Sequence, residues 1–149
     1  MTGGAGFIGS HLVDELLNAG FGVKIIDNLS SGDLKLIDHR LNNPSCEFIN
    51  GDLTSLDDVM MATKNVDVVF HMAANPDIRL GTKITDTDLK QGTIATYNIL
   101  ESMRVNDVKK IVFASSSVVY GENAPMPTPE NHGPCLPISL DGASKLGSE

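Results

Sequence analysis

The stretch Thr2-Gly3-Gly4-Ala5-Gly6-Phe7-Ile8-Gly9 sets glycines at Gly3, Gly6 and Gly9 and runs straight into a helical pattern. In a nucleotide-binding turn such glycines permit a tight bend and bring backbone amides up to a pyrophosphate, whose charge is favoured by the N-terminus of the helix that follows. Ile8, Leu12, Val13, Leu16 and Leu17 recur at helical spacing, and Gly20 stands where a glycine would end that helix. Val23, Ile25 and Ile26 form a short apolar run, as in a buried strand of a parallel sheet, and the run ends in Asp27. A carboxylate about twenty residues beyond the turn can take both hydroxyls of an adenosine ribose and repel a 2′-phosphate, which predicts NAD as the cofactor rather than NADP. The bland alternative is a glycine-rich turn followed by a solvated aspartate.

Outward from this unit the chain alternates strand and helix patterns. Asn28 to Gly32 reads as a loop and Cys46 to Asn50 as a weaker strand. Thr54 is expected to cap a short helix running to Met61. Val66, Val68, Val69 and Phe70 make another buried strand, and Asn75, Pro76 and Asp77 break the chain. A longer helix is expected from about Asp86 to Val105 with Thr85 as its cap, and Ile111, Val112 and Phe113 form the last clear strand. The segment from Pro125 to Pro137 holds five of the seven prolines and reads as an irregular loop, before a final helix from about Leu140. Strands and helices in this rhythm predict βαβ units: an α/β fold of the Rossmann type, a doubly wound parallel sheet with helices on both faces.

Composition narrows the function. The 149 residues carry 11 Lys and Arg against 19 Asp and Glu, a net charge of −8, with the basic residues scattered, so a nucleic-acid backbone binder is not expected. Residues of the AVILMFWYC set make up 41% and charged residues 20%, which suits a globular core. No apolar stretch is long enough to cross a bilayer, and the reading is of a cytoplasmic protein without membrane attachment. Cys46 and Cys135 have no CxxC spacing and the four histidines no metal spacing, so neither a disulfide nor a metal site is expected. His71 is read as a packed residue.

With TGGAGFIGSH at positions 2 to 11, DNLSSG at 27 to 32, GDL at 51 to 53, HMAA at 71 to 74, SSSVVYG at 115 to 121 and GASK at 142 to 145, the chain resembles the extended short-chain dehydrogenase/reductase family. Within it the motifs are most similar to those of NAD-dependent sugar-nucleotide epimerases of the UDP-glucose 4-epimerase type. The resemblance implies that Gly3, Gly6, Phe7, Ile8 and Gly9 hold the pyrophosphate. It places Asp27, Asn28, Ser31 and Gly32 at the adenosine ribose and Asp52 and Leu53 beside adenine. Met72, Ala73 and Ala74 would let the ligand approach the carboxyl edge of the sheet. Ser116, four residues before the tyrosine of VYG, would orient a substrate hydroxyl, and Tyr120 belongs to that loop rather than to catalysis.

The family's catalytic tyrosine stands four residues before Lys145, where this chain has Asp141. Lys145 would hold the nicotinamide ribose, but the proton-transfer group is replaced by a shorter and far more acidic side chain. The bland reading makes Asp141 a helix N-terminal residue paired with Lys145. Gln91 and Gly92 also depart from a frequent Asn, which puts one cofactor contact in question. The family implies a nucleotide-sugar substrate, a UDP-hexose, and a homodimer through the long and final helices. It further implies a strand before Gly3, where only Met1 and Thr2 stand, and a substrate-binding part beyond Glu149. The expectation is therefore a partial NAD-binding domain over residues 1–149, its sheet gapped or repacked, with little or no epimerase activity. The alternatives are a non-catalytic nucleotide-binding module or a structural fragment completed by another chain.

Overall fold

A computed structural model gives the structure, which describes residues 1–77 and 79–149. Helix α1 (Phe7–Asn18) leads into strand β1 (Val23–Asp27), which pairs in parallel with β2 (Cys46–Asn50), Val23 opposite Cys46 and Asp27 opposite Asn50. Gly20 ends α1 as expected: its φ is +87°, and Phe21 donates its N–H back to the Leu16 carbonyl. Helix α2 (Leu56–Ala62) precedes β3 (Val68–His71), which pairs in parallel with β4 (Lys110–Phe113). Between β3 and β4 lie the short helix α3 (Leu80–Lys83), a π-helical stretch (Leu89–Ile94) and α4 (Ala95–Val105), and α5 (Leu140–Ser148) closes the chain.

Thr2 joins the two strand pairs, lying parallel to Ile26 on one side and to His71 on the other. Its N–H donates to the Phe70 carbonyl at 2.9 Å, the Ile26 N–H donates to the Met1 carbonyl at 2.9 Å, and the Gly3 N–H donates to the Ile26 carbonyl at 3.1 Å. The order is thus β2-β1-Thr2-β3-β4. The gap expected in the sheet is present, since the strands form two separate two-stranded pairs. It is bridged at its carboxyl end by two residues and open behind them, where a cavity of about 730 Å3 separates β1 from β3.

Two apolar clusters hold the halves. Val13 and Leu17 of α1 pack with Val23, Ile25 and Ile37, while Val59 of α2 packs with Val69, Ile99, Met103 and Val108. Asn106 ties α4 to α2 through bonds from its amide to the Met60 carbonyl and the Thr63 hydroxyl. Among the described residues no helix is long and apolar enough to cross a membrane.

Two local expectations are corrected. The cap of α2 is Ser55, whose Oγ accepts the Asp58 N–H, because the Thr54 hydroxyl is engaged by the Asp52 carboxylate at 2.7 Å. The long helix expected over 86–105 runs without a break from Thr87 to Val105, but it widens into π geometry over Leu89–Ile94 where α5 presses in, with the Ser144 hydroxyl donating to the Asp88 carbonyl at 2.7 Å and lying against Gly92. Asp88 accepts from the Asn75 amide at 3.0 Å, and Thr85 does not cap the helix.

Candidate functional site

The carboxyl ends of β1, β2 and β3 open onto a pocket of about 460 Å3, within the usual range for ligand sites. The glycine turn forms its floor. Gly3 has φ +65°, and a Cβ there would lie 2.8 Å from the Ala73 backbone. Gly9 is pressed so closely on the turn that a Cβ would lie 2.1 Å from the Gly3 carbonyl oxygen. These approaches bring the first turn of α1 against the sheet edge. The helix has no side-chain cap and no acidic residue in its first turn, so its leading N–H groups and positive dipole end face the pocket unneutralised. Phe7 and Ile8 remain largely exposed at the rim.

Asp27 ends β1 and organises the loops around it. Its two carboxylate oxygens accept the Ala5 and Leu29 N–H groups, both at 2.9 Å, which fixes the carboxylate between the glycine turn and the following loop. The Asp33 N–H donates to the Ala5 carbonyl and holds the Ser31-Gly32 turn against the same glycines. Asn28 donates from its amide to Asp52 at 3.0 Å. Burial pushes the Asp52 carboxyl up, but bonds from the Thr54 N–H and hydroxyl and from the Asn28 amide outweigh it and hold its pKa below the ordinary value. The pocket lining contains two aspartates and no Lys or Arg, so an anionic ligand here depends on backbone amides.

Gly3, Gly6, Phe7, Ile8, Gly9, Asp27, Asn28, Ser31, Gly32, Asp52, Leu53, Met72, Ala73 and Ala74 all line this one pocket. Lys145, assigned to the same ligand by resemblance, is not among its lining residues. Sequence reasoning did not assign Ile26, Ser30, Gly51, Thr54, Pro76 and Ala95, which also line it. Gly51 and Thr54 flank residues that were named, whereas nothing local marks Ala95. Gln91, set apart as a departure from the family pattern, reaches the pocket wall.

Of the three residues expected to do chemistry, Ser116 follows β4 while Asp141 and Lys145 lie on α5. Ser116 caps a 3-10 turn over Ser117–Tyr120, its Oγ accepting the Val118 N–H at 3.4 Å. Asp141 lies in the first turn of α5, and the cap of that helix is Ser139. Lys145 is 8% exposed. Its ammonium donates to the Ala114 carbonyl at 2.9 Å and lies 4.9 Å from the centre of the Phe113 ring. Among the described residues no ion pair joins it to Asp141, so the pairing expected of these two is replaced by an anchor from α5 to β4. Burial lowers the Lys145 pKa against the attraction of Asp141, while burial and the Asp88 charge raise that of Asp141.

His71 is 1% exposed and packs as the sequence suggested. Its Nδ1 lies 2.7 Å from the Thr2 hydroxyl, and its Nε2 lies 3.1 Å from the Thr96 hydroxyl, which donates onward to the Gly92 carbonyl at 2.8 Å. Thr96 therefore accepts from His71 Nε2–H, and because burial keeps the imidazole neutral its Nδ1 accepts from the Thr2 hydroxyl. Among the described residues no three His, Cys, Asp or Glu side chains are grouped to hold a metal ion.

The chain is similar in sequence and fold to known proteins. The chain is 44% identical over 151 residues to a putative UDP-glucose 4-epimerase of Methanocaldococcus jannaschii, covering all of this chain and 48% of that protein. A crystal structure of a UDP-galactose 4-epimerase superposes with a TM-score of 0.88 at 47% identity, over 99% of this chain and 48% of the other. A Thermus thermophilus UDP-glucose 4-epimerase solved in complex with NAD superposes with a TM-score of 0.81 at 31% identity, over 99% and 47%. The chain spans about half the length of the curated relatives it matches. With the family model for NAD dependent epimerases and dehydratases matching residues 1–149, this chain belongs to that family.

Proposed function

We propose that residues 1–149 form the dinucleotide-binding part of a sugar-nucleotide epimerase or dehydratase, that the ligand of the 460 Å3 pocket is NAD, and that this chain alone has little or no turnover. The observation that carries the reading is the convergence in one cavity of the glycine turn, the uncapped N-terminus of α1 and the Asp27 carboxylate. The donor set fits the group: backbone amides for a pyrophosphate, a carboxylate for ribose hydroxyls, and a floor with no room for a Cβ at Gly3 or Gly9.

NAD would supply a hydride acceptor beside a sugar hydroxyl. In that setting Ser116 would orient the hydroxyl, Asp141 would stand where a proton must be taken, and the Lys145 ammonium would have to leave Ala114 and Phe113 to hold the ribose side. A carboxylate there is a poor acceptor for an alcohol proton, and Lys145 is committed to Ala114 and Phe113. Substrate would be a UDP-hexose. Exposed Tyr97 and Leu100 on α4 and Leu140 on α5 support a homodimer through those helices, and a cytoplasmic location belongs to the same reading.

Calorimetry with NAD tests it. Saturable binding, weakened about tenfold or more (about 1.4 kcal/mol) by Asp27→Ala, is expected, with NADP bound far more weakly. No binding of NAD, or equal binding of NADP, would refute it. If NAD fails to bind while the chain folds, the structural-fragment reading takes its place.

A further inference from the structure

Pairing through Thr2 fixes which face of the sheet each side chain takes. Thr2 aligns Ile26 with His71, and residues opposite one another in a sheet point to the same face. Val69, two residues before His71, therefore shares the face of Ile26, whereas Val23 and Ile25 point to the other face. Helix α1 packs with Val23 and Ile25 through Val13 and Leu17, and α4 packs with Val69 through Ile99 and Met103. The first turn of α1 and the helical stretch ahead of Ala95 thus approach the dinucleotide pocket from opposite faces of the sheet.

The π-helical stretch decides what that second face offers. Gly92 and Thr93 turn towards α5: a Cβ on Gly92 would collide with the Ser144 hydroxyl, and the Thr93 hydroxyl lies 3.1 Å from the same oxygen. Gln91 and Ala95, about one turn apart and so on one face, both line the pocket. The rotation of the helix is fixed by Ser144 bonding to the Asp88 carbonyl, by Thr96 against His71 Nε2, and by the Asn98 amide donating to the Leu53 carbonyl at 2.8 Å. Other side-chain donors in the lining are scarce. There is no Lys or Arg, the Asn28 amide and the Thr54 hydroxyl both go to Asp52, and Ser30 and Ser31 belong to the loop beside Asp27. The Gln91 carboxamide makes no hydrogen bond among the described residues.

We propose that Gln91 binds the dinucleotide from the face opposite α1, its Nε2–H donating to a pyrophosphate oxygen that the leading amides of α1 do not reach. The inference rests on NAD as the ligand of this pocket. Backbone amides remain the main donors, and Gln91 adds the side-chain donor on the other face, where a bond to an ionised oxygen is stronger than one between neutral groups. The π geometry is what makes the contact possible, because it holds Gly92 and Thr93 against α5 while Gln91 is turned to the ligand.

Calorimetry of NAD binding to the 149-residue chain tests this with a charge series at one position. Gln91→Met, which keeps the length and removes the donor, should weaken NAD binding about tenfold. Gln91→Glu, which sets a carboxylate against the pyrophosphate, should weaken it about thirtyfold or more. Gln91→Arg, which restores donors and adds a positive charge, should bind NAD at least as tightly as the unaltered chain. ADP should follow the same order, whereas adenosine, which lacks the pyrophosphate, should bind every chain alike. Thermal unfolding without ligand shows that each chain is folded. If Gln91→Glu is not, the Met and Arg variants still decide, because a merely structural role for Gln91 would not set Arg above Met. NAD affinities within about twofold across the series, or equal losses of adenosine and NAD binding, would overturn the inference and leave the NAD reading in place. No NAD binding by the unaltered chain would overturn both.

Discussion

Acid should loosen this fold through His71 before its carboxylates titrate. The imidazole is buried, and its pKa is pushed down from 6.5 to about 4 by burial first, then by the charges of Lys145 and the N-terminal amine. A base with a depressed folded pKa is protonated more readily in the unfolded chain. The stability tied to its neutrality is therefore fully present above about pH 6.5 and is lost as pH falls through about 4. Full titration of a 2.5-unit difference (6.5 minus 4) amounts to about 3 kcal/mol, with about 2 kcal/mol gone by pH 5. The perturbation is His71→Asn, which keeps an acceptor near Nδ1 for the Thr2 hydroxyl and removes the titrating ring. At pH 7 the variant should be less stable by about 2 to 3 kcal/mol, from lost packing and the lost Thr96 bond. Urea unfolding at half-unit steps from pH 7.5 to 4.5 gives the free energy of each chain. The gap between them should close by about 2 kcal/mol or more over that range. A gap constant to within about 0.5 kcal/mol would show that His71 is not the neutral buried base described here.

Other outcomes are separable from this one. Gly9→Ala should cost about 1 to 3 kcal/mol in thermal or chemical unfolding and weaken NAD binding with it, since its Cβ would meet the Gly3 carbonyl that shapes the pocket floor. Asp141→Tyr should leave turnover of UDP-glucose at background in this chain, because Lys145 stays bound to Ala114; robust turnover in a coupled assay would contradict that.

Much of the fold is local in origin and therefore legible. The α1 periodicity, the Gly20 stop and the β1 run ending in Asp27 depend on neighbours within a few residues, and each stands where the pattern put it. The helix over 86–105 is legible in its extent but not in its π-helical stretch, which answers to a distant partner: Ser144 reaches across from α5 to the Asp88 carbonyl, and no spacing within 86–94 reports that contact. Thr54 was misread as a cap for a similar reason, since two adjacent hydroxyls compete and the Asp52 carboxylate decides between them.

By itself the sequence determined the α/β class, the glycine turn, the carboxylate at the end of β1 and the absence of a tyrosine at position 141, because identity and short spacing suffice for these. Tertiary structure alone decided what joins the halves of the sheet and where the buried charges lie. Thr2 spans two strands and meets a histidine 69 positions away. Lys145 turns to the Ala114 carbonyl and the Phe113 ring rather than to Asp141, because its ammonium lies buried where β4 ends. Such contacts form only when distant strands are brought to one edge, and a buried donor takes whichever acceptor the packing places within reach.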